Sequence, residues 1–454
     1  MSRPLSLPDG RWVVPGNRWD LVPDEHRGAA TVTVVVPHYR QQPQLDRLLE
    51  ALTLQTHPAS LLQVVVADDG SPTPPDVGAY RDLLNLTVVR QPDHGFRAAA
   101  ARNLGASAAD GSILCFLDAD TVPEPAYVEN ITRLPTAVPD ALTVGRRRHA
   151  DLTGWDPTDL RGWFTEGAAP PPELTEPRWL RDAYAGSRDL LDADRRSYRF
   201  IISAVMSCTR SLFDEVGRFD ESFTSYGGED WEFAHRAFDA GAVLAHVPTA
   251  IAWHDGADWA ERTGEDREDK NLEAMALAPL VTDPAARTHG VVYAVPQTVA
   301  IVDTAGHSAA SLLVTVGSLV TSGDTQVWIS GPNAAAMRAQ WGDVDARIHV
   351  GIPDDTRRSR FVVESHGRIR LGPGSLDRLV DVVDRTGVGR VVVGSPDAPV
   401  LTMTTSRSAA RARRWADALG ADTDATADDL FGTAVVDPAD LDITDVEAHP
   451  RLAW

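Results

Sequence analysis

The chain has 454 residues, with 43 Lys and Arg against 65 Asp and Glu, for a formal net charge of −22. That length predicts two or three domains, and the acidic balance argues against nucleic acid or an anionic membrane surface as a partner. No run approaches the ~20 apolar residues of a membrane span, Met1 to Arg11 lacks the apolar core of a signal peptide, and two cysteines give no disulfide framework, so a cytoplasmic protein is expected.

Residues 1–30 are aperiodic and read as an N-terminal extension whose Trp12 and Trp19 pack on the body. Thr31 to Val36 is a β-branched run broken by Pro37. Leu45, Leu48, Leu49 and Leu52 recur at helical spacing over Gln44 to Leu54. A second strand, Leu62 to Ala67, ends at Asp68-Asp69-Gly70-Ser71. A third, Leu86 to Val89, leads through Gly95 to an alanine-rich helix carrying Arg102 and Asn103. The fourth, Ile113 to Leu117, stops at Asp118-Ala119-Asp120. Strands alternating with helices describe an open α/β sheet, and each polar cluster falls at its carboxyl edge, where such sheets bind ligands.

The pattern dissolves from Asp151 to Tyr198, a stretch rich in Pro, Asp and aromatic residues. It is either a mobile functional loop or a set of short helices, and we read 151–198 as an acceptor-side loop or lid. Helices are expected over Ser211 to Val216 and Asp230 to Ala240, then a strand from Val243 to Trp253 ending at His254. These elements make 31–290 one domain. A new α/β pattern fills 291–454. Strand, helix, strand and turn at Val299 to Gly331 shadow Val32 to Gly70, and Arg390 to Pro399 shadows the strand before Asp118. The paired acids are missing there, so this part reads as a non-catalytic accessory domain, a degenerate half-repeat.

Asp118 and Asp120 lie two apart and point the same way from a strand end. Two carboxylates so placed repel unless a cation sits between them, and their oxygen donors suit Mg²⁺ or Mn²⁺ with phosphate ligands. Asp68 and Asp69 offer acceptors to a base or ribose hydroxyl. Arg97 and Arg102 put cations near the same edge. In Gly227-Gly228-Glu229-Asp230-Trp231 the glycines permit close backbone approach and two acids open a helix. Tyr226 and Trp231 flank the pair, which suggests an aromatic-walled acceptor pocket with a general base. His254 follows a strand and can supply a nitrogen to a metal.

Together these clusters resemble the family 2 glycosyltransferases with a GT-A fold, over roughly residues 31–260. The resemblance rests on Val-Pro-His-Tyr (36–39), Ala-Asp-Asp-Gly-Ser (67–71), the Gly95 to Gly105 segment, Leu-Asp-Ala-Asp (117–120), Val-Gly-Arg-Phe-Asp-Glu (216–221), Gly-Gly-Glu-Asp-x-Glu (227–232) and Trp-His (253–254). It is closest to members with the galactosyltransferase-type Gly-Gly-Glu-Asp segment. It implies that Pro37, Tyr39, Asp68 and Asp69 hold a nucleoside, expected to be uridine, and that Arg97 and Arg102 lie near the diphosphate or base. Asp118 would contact ribose or metal, Asp120 and His254 would ligate Mn²⁺ or Mg²⁺, Asp230 would be the catalytic base of an inverting transfer, and Glu229 would shape the acceptor pocket. The implied partners are a nucleotide-sugar donor and a glycan-like hydroxyl acceptor; the C-terminal domain, outside the resemblance, is expected to dock a partner, form a homo-oligomer or only brace the first domain.

His38-Tyr39-Arg40 stands where the family has a Tyr-Asn pair, and Ser203 to Ser207 replaces a Gly-rich stretch. A catalytically silent nucleotide-sugar-binding or scaffold protein is the alternative, but the first half keeps its acids and histidine together. A nucleotidyltransferase would carry a Gly-rich phosphate loop after the first strand, and Pro37 to Pro43 has no glycine.

Overall fold

The computed structural model describes residues 3–23, 28–225, 227–257, 267–287 and 290–452. It forms two compact units, one of Arg3–Phe238 with Ala242–Leu277, the other of Asp239–Gly241 with the chain from Ala278 onward. The division thus falls at 277/278 rather than at 290.

The larger unit opens with a two-stranded ribbon, β1 (Leu5–Ser6) and β2 (Trp12–Val13). Trp12 and Trp19 pack there against Val14, Val138, Ala141 and Val243. Next come β3 (Val32–His38), α1 (Gln42–Thr53), β4 (Leu62–Asp68), β5 (Asn85–Arg90), α2 (Ala98–Ser107), β6 (Ile113–Leu117), β7 (Thr121–Pro123), α3 (Tyr127–Ala137) and β8 (Ala141–Ala150). They are followed by α4 (Pro157–Glu166), β9 (Glu173–Leu174), α5 (Arg178–Gly186), β10 (Val205–Thr209), α6 (Arg210–Val216), α7 (Glu229–Asp239), β11 (Val243–Asp255) and α8 (Arg267–Leu277). The main sheet runs β5-β4-β3-β6-β10-β8-β11-β7, with β9 paired to β8. Its first four strands are parallel, β10 is antiparallel to both neighbours, and β11 is parallel to β8. This is the mixed α/β sheet that the GT-A resemblance implies.

β4, β6 and β10 are buried at every position, as their unbroken apolar runs require of central strands. Pro37 does not stop β3. Pairing with β6 ends at Val35, so beyond it the missing N–H of Pro37 leaves no gap in that ladder. The 151–198 stretch resolves into short helices. Leu152 and Leu160 are fully buried in a cluster with Trp253, and Trp163 packs edge-on against Trp253 at 5.4 Å. β8 escapes a periodicity reading because it ends in Arg146-Arg147-Arg148-His149, although its first five residues are buried.

The smaller unit contains β12 (Thr298–Asp303), α9 (Ala309–Val320), β13 (Thr325–Ser330), α10 (Ala334–Ala339), β14 (Ile348–Val350), β15 (Phe361–Ser365), β16 (Ile369–Leu371), α11 (Ser375–Thr386), β17 (Arg390–Ser395), β18 (Ala398–Thr405), α12 (Ser406–Leu419), α13 (Thr423–Phe431), β19 (Thr433–Val436) and β20 (Ile443–Asp445). Its sheet runs β14-β13-β12-β15-β18-β17-β19, and β16 pairs with β20. Strand for strand this is the order of the larger unit. β12, β13, β14 and β15 are the parallel set, β18 is antiparallel to both neighbours, and β19 is parallel to β17. The pairing of β16 with β20 matches that of β7 with β11.

The repeat therefore spans the whole sheet, and one part of the expected correspondence is corrected. β15, not the Arg390 to Pro399 segment, occupies the place of β6. β6 and β7 are separated by Asp118-Ala119-Asp120, and β15 and β16 by His366-Gly367-Arg368. The same backbone bond closes both turns, from Asp255 N to the Asp120 carbonyl and from Val446 N to the Arg368 carbonyl, each at 2.9 Å. His254 pairs with the first residue of β7, and Asp445 with the first residue of β16. The second copy thus carries a histidine and an arginine where the first carries two acids, and an acid where the first carries histidine.

Candidate active site

The carboxyl ends of β3, β4 and β6 form one edge of the larger unit. At β4, Asp68 is fully buried. Gln41 N donates to His38 Nε2 (3.3 Å), which leaves the proton on Nδ1 to donate to Asp68 Oδ1 at 3.2 Å. Ser71 N also donates to that oxygen, and Arg90 lies 3.1 Å from the other. Asp68 is therefore a brace behind the site, out of a ligand's reach. Asp69 accepts from Gln91 Nε2 at 2.5 Å and from the Arg97 backbone N at 2.9 Å. Gly70 turns the chain at φ +83°, and a Cβ there would run into the backbone of Asp93. Tyr39 donates to Asp93 Oδ2 at 3.2 Å, and Pro37 and Tyr39 are half-buried on this edge. The Arg97 guanidinium lies 3.7 Å from Glu221.

Arg102 has a different place from the one its position suggests. It is 4% exposed, and its two terminal nitrogens donate to Glu229 Oε1 at 2.9 Å and to Asp118 Oδ1 at 2.7 Å. Its charge is spent joining the end of β6 to the start of α7, so it faces carboxylates rather than a diphosphate. Beside it, Asn103 clasps the backbone of Phe219 with both amide groups, at 2.9 and 3.1 Å. Glu232 holds Arg236, which donates to the carbonyls of Val216 and Arg218. These bonds tie α2 and α7 to the 216–219 turn.

Asp120 keeps one oxygen, Oδ1, buried and without a hydrogen-bond partner, while Oδ2 lies 3.6 Å from His254 Nε2. Burial raises the Asp120 carboxyl above its ordinary value, and Asp118 adds to this while His254 opposes it. An orphaned carboxylate oxygen beside an imidazole fits a divalent cation that draws its remaining ligands from phosphate and water. Among the described residues no group of three His, Cys, Asp or Glu side chains converges as a metal cage, since Asp118 is turned to Arg102. Asp255, next to His254, pairs with buried Arg47 and accepts from Leu152 N at 3.2 Å, which anchors the end of β11. Nothing in the local sequence marks Arg47 for this, because its partner lies 208 residues away.

Asp230 is half-buried at the start of α7. Its Oδ2 accepts from Ser203 N at 3.4 Å and its Oδ1 from Trp231 N at 2.8 Å. Burial pushes its carboxyl up to about 7, with the neighbouring charge of Glu229 acting the same way and Arg102 opposing. That value suits a base working near neutrality. Glu229 gives one oxygen to Arg102 and keeps Oε2 buried without a partner. Gly228 has φ +95°, and a Cβ on it would meet the Phe223 ring at 2.9 Å, so the approach to this pair depends on glycine. Trp231 is half-buried, and Tyr226 lies outside the described residues.

Residues 33–188 match the sequence family described as glycosyl transferase family 2, and residues 192–253 match the N-terminal domain of galactosyltransferase. Chondroitin synthase of Escherichia coli is 27% identical over 288 residues, covering 60% of this chain and 42% of that one. Validoxylamine A glucosyltransferase of Streptomyces hygroscopicus subsp. limoneus is 32% identical over 220 residues, covering 45% and 47%. The chain thus spans less than half the length of either relative. A solved mannosyltransferase from Pyrobaculum calidifontis, in complex with GDP-mannose and Mn²⁺, superposes with TM-score 0.38 at 19% identity, over 60% of this chain and 69% of that one. No helix among the described residues is long and apolar enough to cross a membrane.

Proposed function

We propose that this chain, a member of the family 2 glycosyltransferases, transfers a sugar with inversion from a UDP-sugar to a hydroxyl of a glycan-like acceptor, with Mn²⁺ or Mg²⁺ bound. The observation that carries the reading is the buried Arg102 bridge, which joins Asp118 at the end of β6 to Glu229 of α7. Donor and acceptor machinery thereby share one edge of one sheet.

Asp120 and His254 would hold the cation, which neutralises charge on the departing diphosphate when bound. Pro37, Tyr39 and Asp69 line the edge that the nucleoside would occupy, with Asp68 holding that edge in place. Asp118 is held beside Asp120 by Arg102, and would contact the ribose or the cation from there. Asp230 takes the acceptor hydroxyl's proton as its oxygen attacks the anomeric carbon, and the diphosphate leaves from the opposite side. Glu229, charge-paired to Arg102, keeps negative charge beside Asp230 and so keeps its carboxyl basic.

The test is a panel of UDP-sugars with Mn²⁺ and candidate glycan acceptors, following UDP release and the anomeric configuration of the product by NMR. A single inverted anomer is expected. A product that retains the donor's configuration would remove Asp230 from the role of base in a single displacement.

A further inference from the structure

The larger unit contains a cavity of about 280 Å³ between α5, the turn after it, and the facing parts of β8 and β11. Two irregularities of the backbone shape it. Arg188, Asp189 and Leu190 take φ of 51°, 57° and 66°, three successive side-chain-bearing residues in the left-handed region. On the other side the register of β11 against β8 shifts between Val247 and Ile251, a bulge opposite Gly145 and Arg146. The wall is then locked. His246 Nδ1 bonds Asp189 Oδ1 at 2.7 Å, and the Tyr184 ring stacks on the imidazole at 3.8 Å and 3°. Tyr184 itself donates to the Phe200 carbonyl at 2.7 Å.

Arginines outnumber acids in the lining by three to two, in a chain of net charge −22. Arg146, Arg147 and Arg181 face it together with Glu176 and Asp189. Glu176 already accepts two bonds from Arg146, at 2.6 and 3.3 Å, and Asp189 is held by His246. Leu180 and Ile202 give apolar surface for the face of a ring. Ile202 immediately precedes Ser203, whose N–H donates to Asp230, so the cavity adjoins the base. Arg147, another lining residue, is near enough to Asp120 for its charge to favour that carboxylate's ionised form.

We propose that this cavity is the acceptor subsite and that it selects a sugar unit bearing an anionic group, with Arg146 and Arg181 setting that preference. This rests on the donor-side and base assignments above. A guanidinium meeting a carboxylate or phosphate gains a charge-assisted bond that a neutral sugar cannot supply.

The test is titration of the full chain with methyl glucuronide, glucose 6-phosphate and methyl glucoside, read by ligand-observed NMR. UDP with Mn²⁺ is titrated into the same samples. At least one acidic probe is expected to bind about tenfold tighter than the neutral one, and the pair of acidic probes tells carboxylate from phosphate. Arg146→Gln and Arg181→Gln, at side chains 40% and 53% exposed, should bring that ratio towards one without changing the melting curve. Equal binding of all three probes, or a preference that survives both substitutions, would overturn the inference even where UDP binds. An intact acidic preference with no UDP binding would remove the acceptor role and point to the donor reading as the part that failed.

Discussion

Asp230 is the proposed base, and its raised carboxyl makes two behaviours follow from one cause. Transfer should fall away below about pH 7 as the base is protonated. Asp230→Asn should cost about 10²–10⁴ in rate while UDP binding persists. Stability should respond in the opposite sense. Between the ordinary carboxylate value of 3.8 and about 7, the folded chain holds a proton that the unfolded chain has released. Stability therefore falls as pH rises through that window. Asp230→Asn should melt above the parent at pH 8, with the gap closing near pH 4, which melting curves at the two pH values check. An Asn variant that melts below the parent at pH 8 would contradict the raised carboxyl. The acid pair was legible in the sequence, because two glycines and two acids opening a helix are a compact local signal. The place of Asp68 was not, since nothing local tells an acid at a strand end that faces a ligand from one caged by His38, Ser71 and Arg90.

At the scale of elements, β6 and α7 are held by one buried guanidinium. Removing it leaves Asp118 and Glu229 facing each other without a counter-charge, a type of change that costs about 3–5 kcal/mol. Arg102→Met should destabilise the larger unit by that order in urea denaturation, and adding Glu229→Gln should recover part of the loss. A single variant as stable as the parent would mean that the bridge carries little weight. Most strands that position the site could be read from apolar runs ending in polar clusters. β8 could not, because its three arginines mask a strand whose other half is buried. Glu229 lies 127 residues from Arg102, and Asp255 lies 208 residues from Arg47, beyond any periodicity argument.

At the scale of the whole molecule, the two units share one sheet plan with opposite chemistry at corresponding turns. The repeat was legible in its first βαβ unit, but its counterpart of β6 was misplaced for a physical reason. β17 carries consecutive valines and so resembles β6, while β15 alternates buried and more exposed positions, with Glu364 on its outer face. His366-Gly367-Arg368 and Asp445 offer no pair of acids to a cation. UDP with Mn²⁺ should therefore bind with a stoichiometry of one per chain, and a calorimetric stoichiometry of two would give the smaller unit a nucleotide site that this account denies it.

The central claim is a cation-dependent nucleotide site built on Asp120 and His254. Calorimetric titration of UDP into the full chain, with Mn²⁺ and then with EDTA, for the parent and Asp120→Ala, tests it most directly. The account predicts binding that needs the metal and is lost in Asp120→Ala. Binding of equal strength in EDTA, or undiminished in Asp120→Ala, would contradict it.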